Sequence, residues 1–203
     1  GHNIVFMGMG EPLANLNALI PSLRLLQADE GLAIGRRRIT VSTVGLPRQI
    51  IALADSDVKV RLAFSLHATT EEMRTRLMPI NAKHSFVEVF RALHYFQRTQ
   101  RMRITLEYLL LEGMNDTVDD AHRLAGFARK LRCKVNLIAF NPHPAAPFRP
   151  TGQDRMRAFV RAMDPIAPSL TLRYSKGREI LAACGQLSTN WTEQEQGGAL
   201  AGD

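Results

Sequence analysis

The chain has 203 residues, 45% of them hydrophobic and 22% charged, which can bury one substantial core and excludes disorder throughout. Apolar runs stay short of the roughly 18–20 residues that span a bilayer, and no secretory signal pattern opens the chain, so the expectation is a cytoplasmic protein with no membrane partner. The net charge of +7 is concentrated in residues 1–188 and favours a polyanionic partner such as RNA; a soluble protein that is simply basic is the alternative.

Apolar runs alternate with amphipathic patterns along the chain. Asn3–Met9 (NIVFMGM) is a nearly continuous apolar run closed by glycines, as expected of a strand buried on both faces. Asn15–Gln27 follows, with Leu16, Leu19, Ile20, Leu23 and Leu26 at helical spacing. Arg38–Ser42 predicts a second strand, Pro47–Ala54 a short helix and Lys59–Leu66 a third strand. Helices are expected at Thr70–Leu77 and Phe86–Thr99, on either side of Met78-Pro79-Ile80-Asn81. Met102–Leu111 then reads as a strand, Val118–Leu131 as a helix and Lys134–Phe140 as a strand. A Pro-rich loop, Asn141–Pro150, leads to a helix at Gln153–Met163 and a short strand at Leu170–Arg173. This order implies parallel strands with helical crossovers, and fits both an open doubly wound sheet and a TIM-like barrel. Residues 1–188 form the expected body and 189–203 a flexible tail.

Ligands of parallel α/β sheets bind beyond the C-terminal strand ends. The first strand ends in Gly8-Met9-Gly10-Glu11-Pro12, where glycines allow close backbone approach and a carboxylate suits an ammonium group; a plain strand–helix turn reads equally well. The second ends at Ser42-Thr43, hydroxyls for a polar ligand or for capping the next helix. The third ends at Ser65-Leu66-His67, and the fifth at Asn141-Pro142, where the amide is both donor and acceptor. Glu107 interrupts an apolar strand, and the alternation around it leaves its direction open. Cys184 has small neighbours and nearby Arg173, Lys176 and Arg178 that favour a thiolate; a small buried residue is the alternative. Cys133 reads as structural. No metal site is visible: two cysteines and scattered histidines lack metal-ligand spacing.

Together these segments resemble the radical S-adenosylmethionine RNA methyltransferases of the RlmN/Cfr family over nearly all of residues 3–188. The carriers are Gly8-Met9-Gly10-Glu11-Pro12, the Arg38–Thr43 strand end, Ser65-Leu66-His67, Pro79-Ile80-Asn81, Asn136–Pro142 and Ala183-Cys184-Gly185-Gln186-Leu187. The resemblance implies an α/β fold, a partial TIM-like (β/α) barrel of the radical SAM type. It implies that Gly10 and Glu11 contact the methionine part of S-adenosylmethionine, that Ser42, Ser65, Leu66, His67 and Asn141 complete the cofactor site, and that Cys184 carries the methyl group. The implied reaction joins a methyl-derived carbon to carbon 2 of adenosine in 23S rRNA and tRNA, with a 4Fe-4S cluster and an electron donor protein; a sister activity acts on carbon 8. The family's CxxxCxxC cluster motif, upstream accessory domain and second catalytic cysteine have no counterpart in this sequence. The expectation is therefore a fragment without the first strand and cluster loop, inactive alone and prone to self-association. The rival readings are a SAM- or RNA-binding module without catalysis, and an unrelated sugar-phosphate barrel enzyme.

Overall fold

The computed structural model describes residues 3–7, 10–142, 147–163 and 170–173. Six strands, β1 (Ile4–Phe6), β2 (Ile39–Thr43), β3 (Arg61–Ser65), β4 (Ile104–Leu110), β5 (Lys134–Ala139) and β6 (Leu170–Arg173), alternate with helices α1 (Leu16–Gln27), α2 (Pro47–Asp55), α3 (Glu71–Leu77), α4 (Phe86–Gln100), α5 (Val118–Leu131) and α6 (Gln153–Met163). The strands are ordered in the sheet as in the chain, β1 through β6. A doubly wound sheet reverses its strand order at a switch point, whereas a singly wound, barrel-type sheet does not. The order thus selects the barrel-type winding from the two that the sequence allowed.

The chain divides into two compact units, Gly1–Glu107 and Tyr108–Asp203, with the boundary inside β4. In the first unit β1, β2, β3 and β4 pair in parallel, with Val41 beside Val5's neighbour Phe6, Val41 beside Leu62, and Leu62 beside Ile104. Helix α4 starts at a capping box in which the Ser85 hydroxyl accepts from Glu88 N and the Glu88 carboxylate accepts from Ser85 N. Its Val89, Leu93 and Phe96 are buried, as are Ile50 and Leu53 of α2, at the spacing of one apolar helix stripe. In the second unit β5 and β6 are parallel. Thr117 and Asp120 form the capping box that opens α5. Leu124, Ala128 and Leu131 of α5 and Met156, Phe159 and Met163 of α6 are buried, and the Tyr108 and Phe159 rings lie 5.7 Å apart.

One expectation needs correction. Strand β1 is shorter than the apolar run and is not buried on both faces: Val5 is 52% and Met7 51% exposed. Among the described residues β1 pairs with β2 alone, so it is an edge strand, and an apolar run does not reveal whether both its faces are covered. The expected tail at 189–203 lies outside the described residues.

Candidate cofactor site

The ends of β1, β2 and β3 in the first unit gather most of the expected site residues. Gly10 is exposed with φ +73°, a left-handed conformation that glycine adopts without strain, and nothing lies within 4 Å of where a Cβ would stand. Next to it, Glu11 caps a short 3-10 turn at Pro12–Asn15. One carboxylate oxygen accepts from Leu13 N at 3.1 Å and the other from Val44 N at 2.7 Å. Glu11 therefore ties the loop after β1 to the loop after β2, 33 residues on.

Ser42 and Thr43 are buried at the end of β2. The Thr43 hydroxyl accepts from Gly45 N at 3.0 Å, and α2 is preceded by Leu46 with no side-chain cap, so neither hydroxyl caps that helix. Gly45 has φ +98°, and a Cβ there would meet the Phe64 ring at 2.7 Å. The turn into α2 thus requires glycine twice over, for conformation and for space.

After β3 the chain makes a three-residue turn. Ala68 N donates to Leu66 O at 2.8 Å around His67, whose φ is +55°. A left-handed histidine is uncommon and holds local strain. Leu66 N and His67 N both donate to the main-chain oxygen of Glu107, which pairs with Ser65 across the β3–β4 ladder. The Leu66 side chain is fully buried, and both its main-chain groups are engaged within the protein. His67 is half-buried; desolvation first, then the charge of Arg74, pushes its imidazole pKa down to about 4. The ring is neutral at pH 7 and offers one donor and one acceptor nitrogen. Glu107 is buried, which excludes the solvent-facing direction the sequence left open.

The residue that organises this turn is one the sequence did not single out. Arg74 is the only buried residue of α3, at 0% exposure. Its guanidinium donates to Val44 O at 2.6 Å, Ser65 O at 3.2 Å, Leu66 O at 3.3 Å and Asn81 Oδ1 at 2.6 Å. It also lies over the Phe64 ring, 5.0 Å from the centroid. Asn81 in turn donates to Glu71 Oε2 at 2.8 Å and Thr75 Oγ1 at 2.9 Å. Burial lowers the Arg74 pKa to about 10, partly offset by Glu71, so the group keeps its charge at neutral pH. One cation thus fixes three carbonyls from the loops after β2 and β3. The sequence signal was Pro79-Ile80-Asn81, whose asparagine holds the far side of that cation.

Asn141 belongs to the second unit, two residues beyond β5, and is exposed. Cys184, Gly8 and Met9 lie outside the described residues. Among those described, no group of three His, Cys, Asp or Glu residues can hold a metal. Cys133 is buried, and desolvation pushes its thiol up to about 12, so it is inert as a nucleophile or ligand.

The parallel sheet, with its strands in chain order, defines an α/β protein of barrel-type winding. The chain belongs to the radical SAM superfamily, whose model matches residues 1–125. It is 48% identical over 185 residues to a dual-specificity RNA methyltransferase RlmN of Geobacter sulfurreducens, covering 91% of this chain and 51% of that protein. The protein of the same name in Campylobacter jejuni subsp. jejuni is 42% identical over 192 residues, covering 95% and 54%. The chain therefore spans about half the length of these curated relatives. The crystal structure of a radical SAM methyltransferase from Sphaerobacter thermophilus superposes with a TM-score of 0.81 at 43% identity, covering 91% of this chain and 54% of that one. A domain of a pyruvate-formate lyase-activating enzyme from Bacteroides vulgatus shares the fold, with a TM-score of 0.66 at 14% identity over 85% of this chain and 99% of that one.

Proposed function

We propose that this chain is the S-adenosylmethionine-holding part of an RNA methyltransferase that acts on carbon 2 of adenosine in 23S rRNA and tRNA. The observation that carries the reading is the placement of Gly10, Glu11, Ser42, Ser65 and His67 at or just beyond the strand ends, in a chain similar to proteins named dual-specificity RNA methyltransferase. When bound, S-adenosylmethionine supplies the methyl group and the radical chemistry that an unreactive aromatic carbon requires.

The chain's own residues bind and orient. Gly10 leaves its backbone open to the methionine end, and Glu11 fixes that loop by its two main-chain bonds. The Ser42 and Ser65 hydroxyls and the neutral His67 ring offer hydrogen bonds to a nucleoside. Leu66 acts through the shape of its turn, since its polar groups are engaged within the protein. Asn141 is assigned a cofactor contact of its own, and Cys184 the role of methyl carrier. The described residues fit S-adenosylmethionine and do not fit a 4Fe-4S cluster, so no step is derived through the cluster; its ligands, and the contact with an electron donor protein, are assigned to the whole enzyme.

The test is nucleoside mass spectrometry of rRNA and tRNA treated with the complete gene product, reconstituted with iron and sulfide. The expected product is 2-methyladenosine, lost in Cys184→Ala. Formation of 8-methyladenosine instead would move the protein to the sister activity. Failure of the complete protein to bind S-adenosylmethionine in calorimetry would overturn the reading.

A further inference from the structure

The strands of the first unit run in one direction. Their starts therefore share one end of the sheet, and the candidate cofactor residues share the other. Charge is divided unevenly between these two ends. At the carboxyl end, Arg48 and Arg76 are interspersed with Glu71, Glu72 and Glu88. At the amino end, Arg36, Arg37 and Arg38 form the 3-10 turn into β2, Arg61 opens β3, and Arg101 and Arg103 lead into β4. All six are exposed.

The strand register brings these charges together. Thr40 is level with Arg61 and Leu62 with Ile104. Arg61 and Arg103 consequently start neighbouring strands at the same level, about 4.8 Å apart along the backbone, with Arg38 two residues before Thr40 on the next strand. Like charges side by side on a sheet repel. Four carboxylates share this end. Arg24 holds Asp57 by two bonds of 2.8 Å, and Asp55 accepts from the Tyr95 hydroxyl at 2.6 Å. The exposed Asp29 and Glu30, in the connection before Arg36, form no ion pair with the arginines among the described residues. None of the six arginines makes an ion pair or side-chain hydrogen bond among the described residues.

We propose that the amino end of this sheet is a second RNA-docking surface, which grips phosphates remote from the reacting base. The five residues of β2 put the two ends about 17 Å apart, a distance that a folded RNA easily spans. Guanidinium groups match phosphate oxygens in bidentate geometry, and an RNA backbone supplies one negative charge per nucleotide to offset the repulsion. An acidic protein would need carboxylates at the same spacing around an apolar centre. The inference rests on the RNA reading above for the identity of the polyanion.

The experiment measures binding of a fluorescein-labelled tRNA stem-loop to the chain by anisotropy across a salt series. Two proteins are compared with the wild type: one carries R36Q, R37Q, R38Q, R61Q and R103Q, and a control carries R48Q, R76Q and R91Q at or near the carboxyl end. The substituted side chains are exposed, and circular dichroism with thermal melting checks that each variant is folded. The five-site variant is expected to bind about tenfold or more weakly near 100 mM salt, with a salt slope shallower by about 2–4. The control is expected to lose much less per charge removed. In the complete enzyme the five-site change should raise KM for RNA and leave kcat unaltered. Equal loss per charge in the control, an unaltered salt slope in the five-site variant, or equally tight binding of polyglutamate of matched charge would overturn the proposal. A wild-type chain that binds RNA while the five-site variant binds it equally well sinks the docking surface alone. A complete enzyme that binds no RNA at all sinks the functional reading with it.

Discussion

Arg74 in the first unit and Asp116 in the second are charged side chains buried beyond the strand ends, and the two solve the same problem differently. In the first, Arg74 hydrogen-bonds only to dipoles, three main-chain carbonyls and the Asn81 amide oxygen, with the Glu71 carboxylate acting on it without a direct bond. In the second, Asp116 has a side chain at 0% exposure and accepts from Gly113 N, the Thr151 hydroxyl and Arg155, whose own side chain is 48% exposed. A charge answered by an ion whose other side faces water can be re-solvated when its partner goes. A charge answered by carbonyls cannot, and its loss strands several buried acceptors at once. The Arg74 arrangement therefore costs more to disturb and fixes more backbone.

The largest expected effect follows directly. Arg74→Met should lose about 3–5 kcal/mol in urea unfolding, whereas Asp116→Asn should lose about 1–2 kcal/mol. Amide exchange read residue by residue should place the first loss around Val44 and Leu66 and the second around Gly113. Equal losses in the two variants would remove the distinction between carbonyl and ion-pair solutions.

The glycines of the two units form a second pair. Gly45 and Gly113 both have positive φ, but only Gly45 is crowded, by Phe64 and Val89; nothing lies within 4 Å of a Cβ at Gly113. Gly45→Ala should cost about 2–3 kcal/mol, from strain together with overpacking. Gly113→Ala should cost about 1 kcal/mol, from the left-handed backbone alone. Thermal melts of both variants check the difference.

A further effect is a pH dependence belonging to the first unit. The folded pKa of His67, about 4, is below its ordinary 6.5, so below pH 6.5 the unfolded chain binds a proton that the folded chain refuses. Stability from this group is complete above pH 6.5 and falls as pH drops toward 4, by about 1–3 kcal/mol. Subtracting the pH profile of His67→Gln from that of the wild type should isolate this slope, and parallel profiles would remove it.

Most element boundaries were readable because stripe, cap and turn residues agree. Thr117 and Asp120 announce α5, and Leu170–Arg173 does form β6. The strand ends were readable as a candidate site because ligands of parallel sheets gather beyond their carboxyl ends. What was hidden depends on partners distant in sequence. Arg74 sits in Glu71-Glu72-Met73-Arg74-Thr75-Arg76, which reads as a solvated helix face; only the folded loops supply its carbonyls. The left-handed backbone of His67 leaves no mark in a residue that is ordinarily right-handed or extended. The exposure of Val5 is hidden too, because an apolar run does not report which of its faces is covered.

Glu11, which clasps Val44 N across 33 residues of chain, also has a kinetic meaning. Its bond closes only after β1, α1 and β2 have come together, so it belongs to the late side of the folding barrier. Contacts absent from the transition state govern how fast a protein opens rather than how fast it forms. Glu11→Gln should accordingly raise the unfolding arm of the chevron without changing its slope, while leaving the refolding arm nearly unchanged. The carboxylate then serves as a latch: it sets how long the loops beyond β1 and β2 stay together, not how quickly they meet.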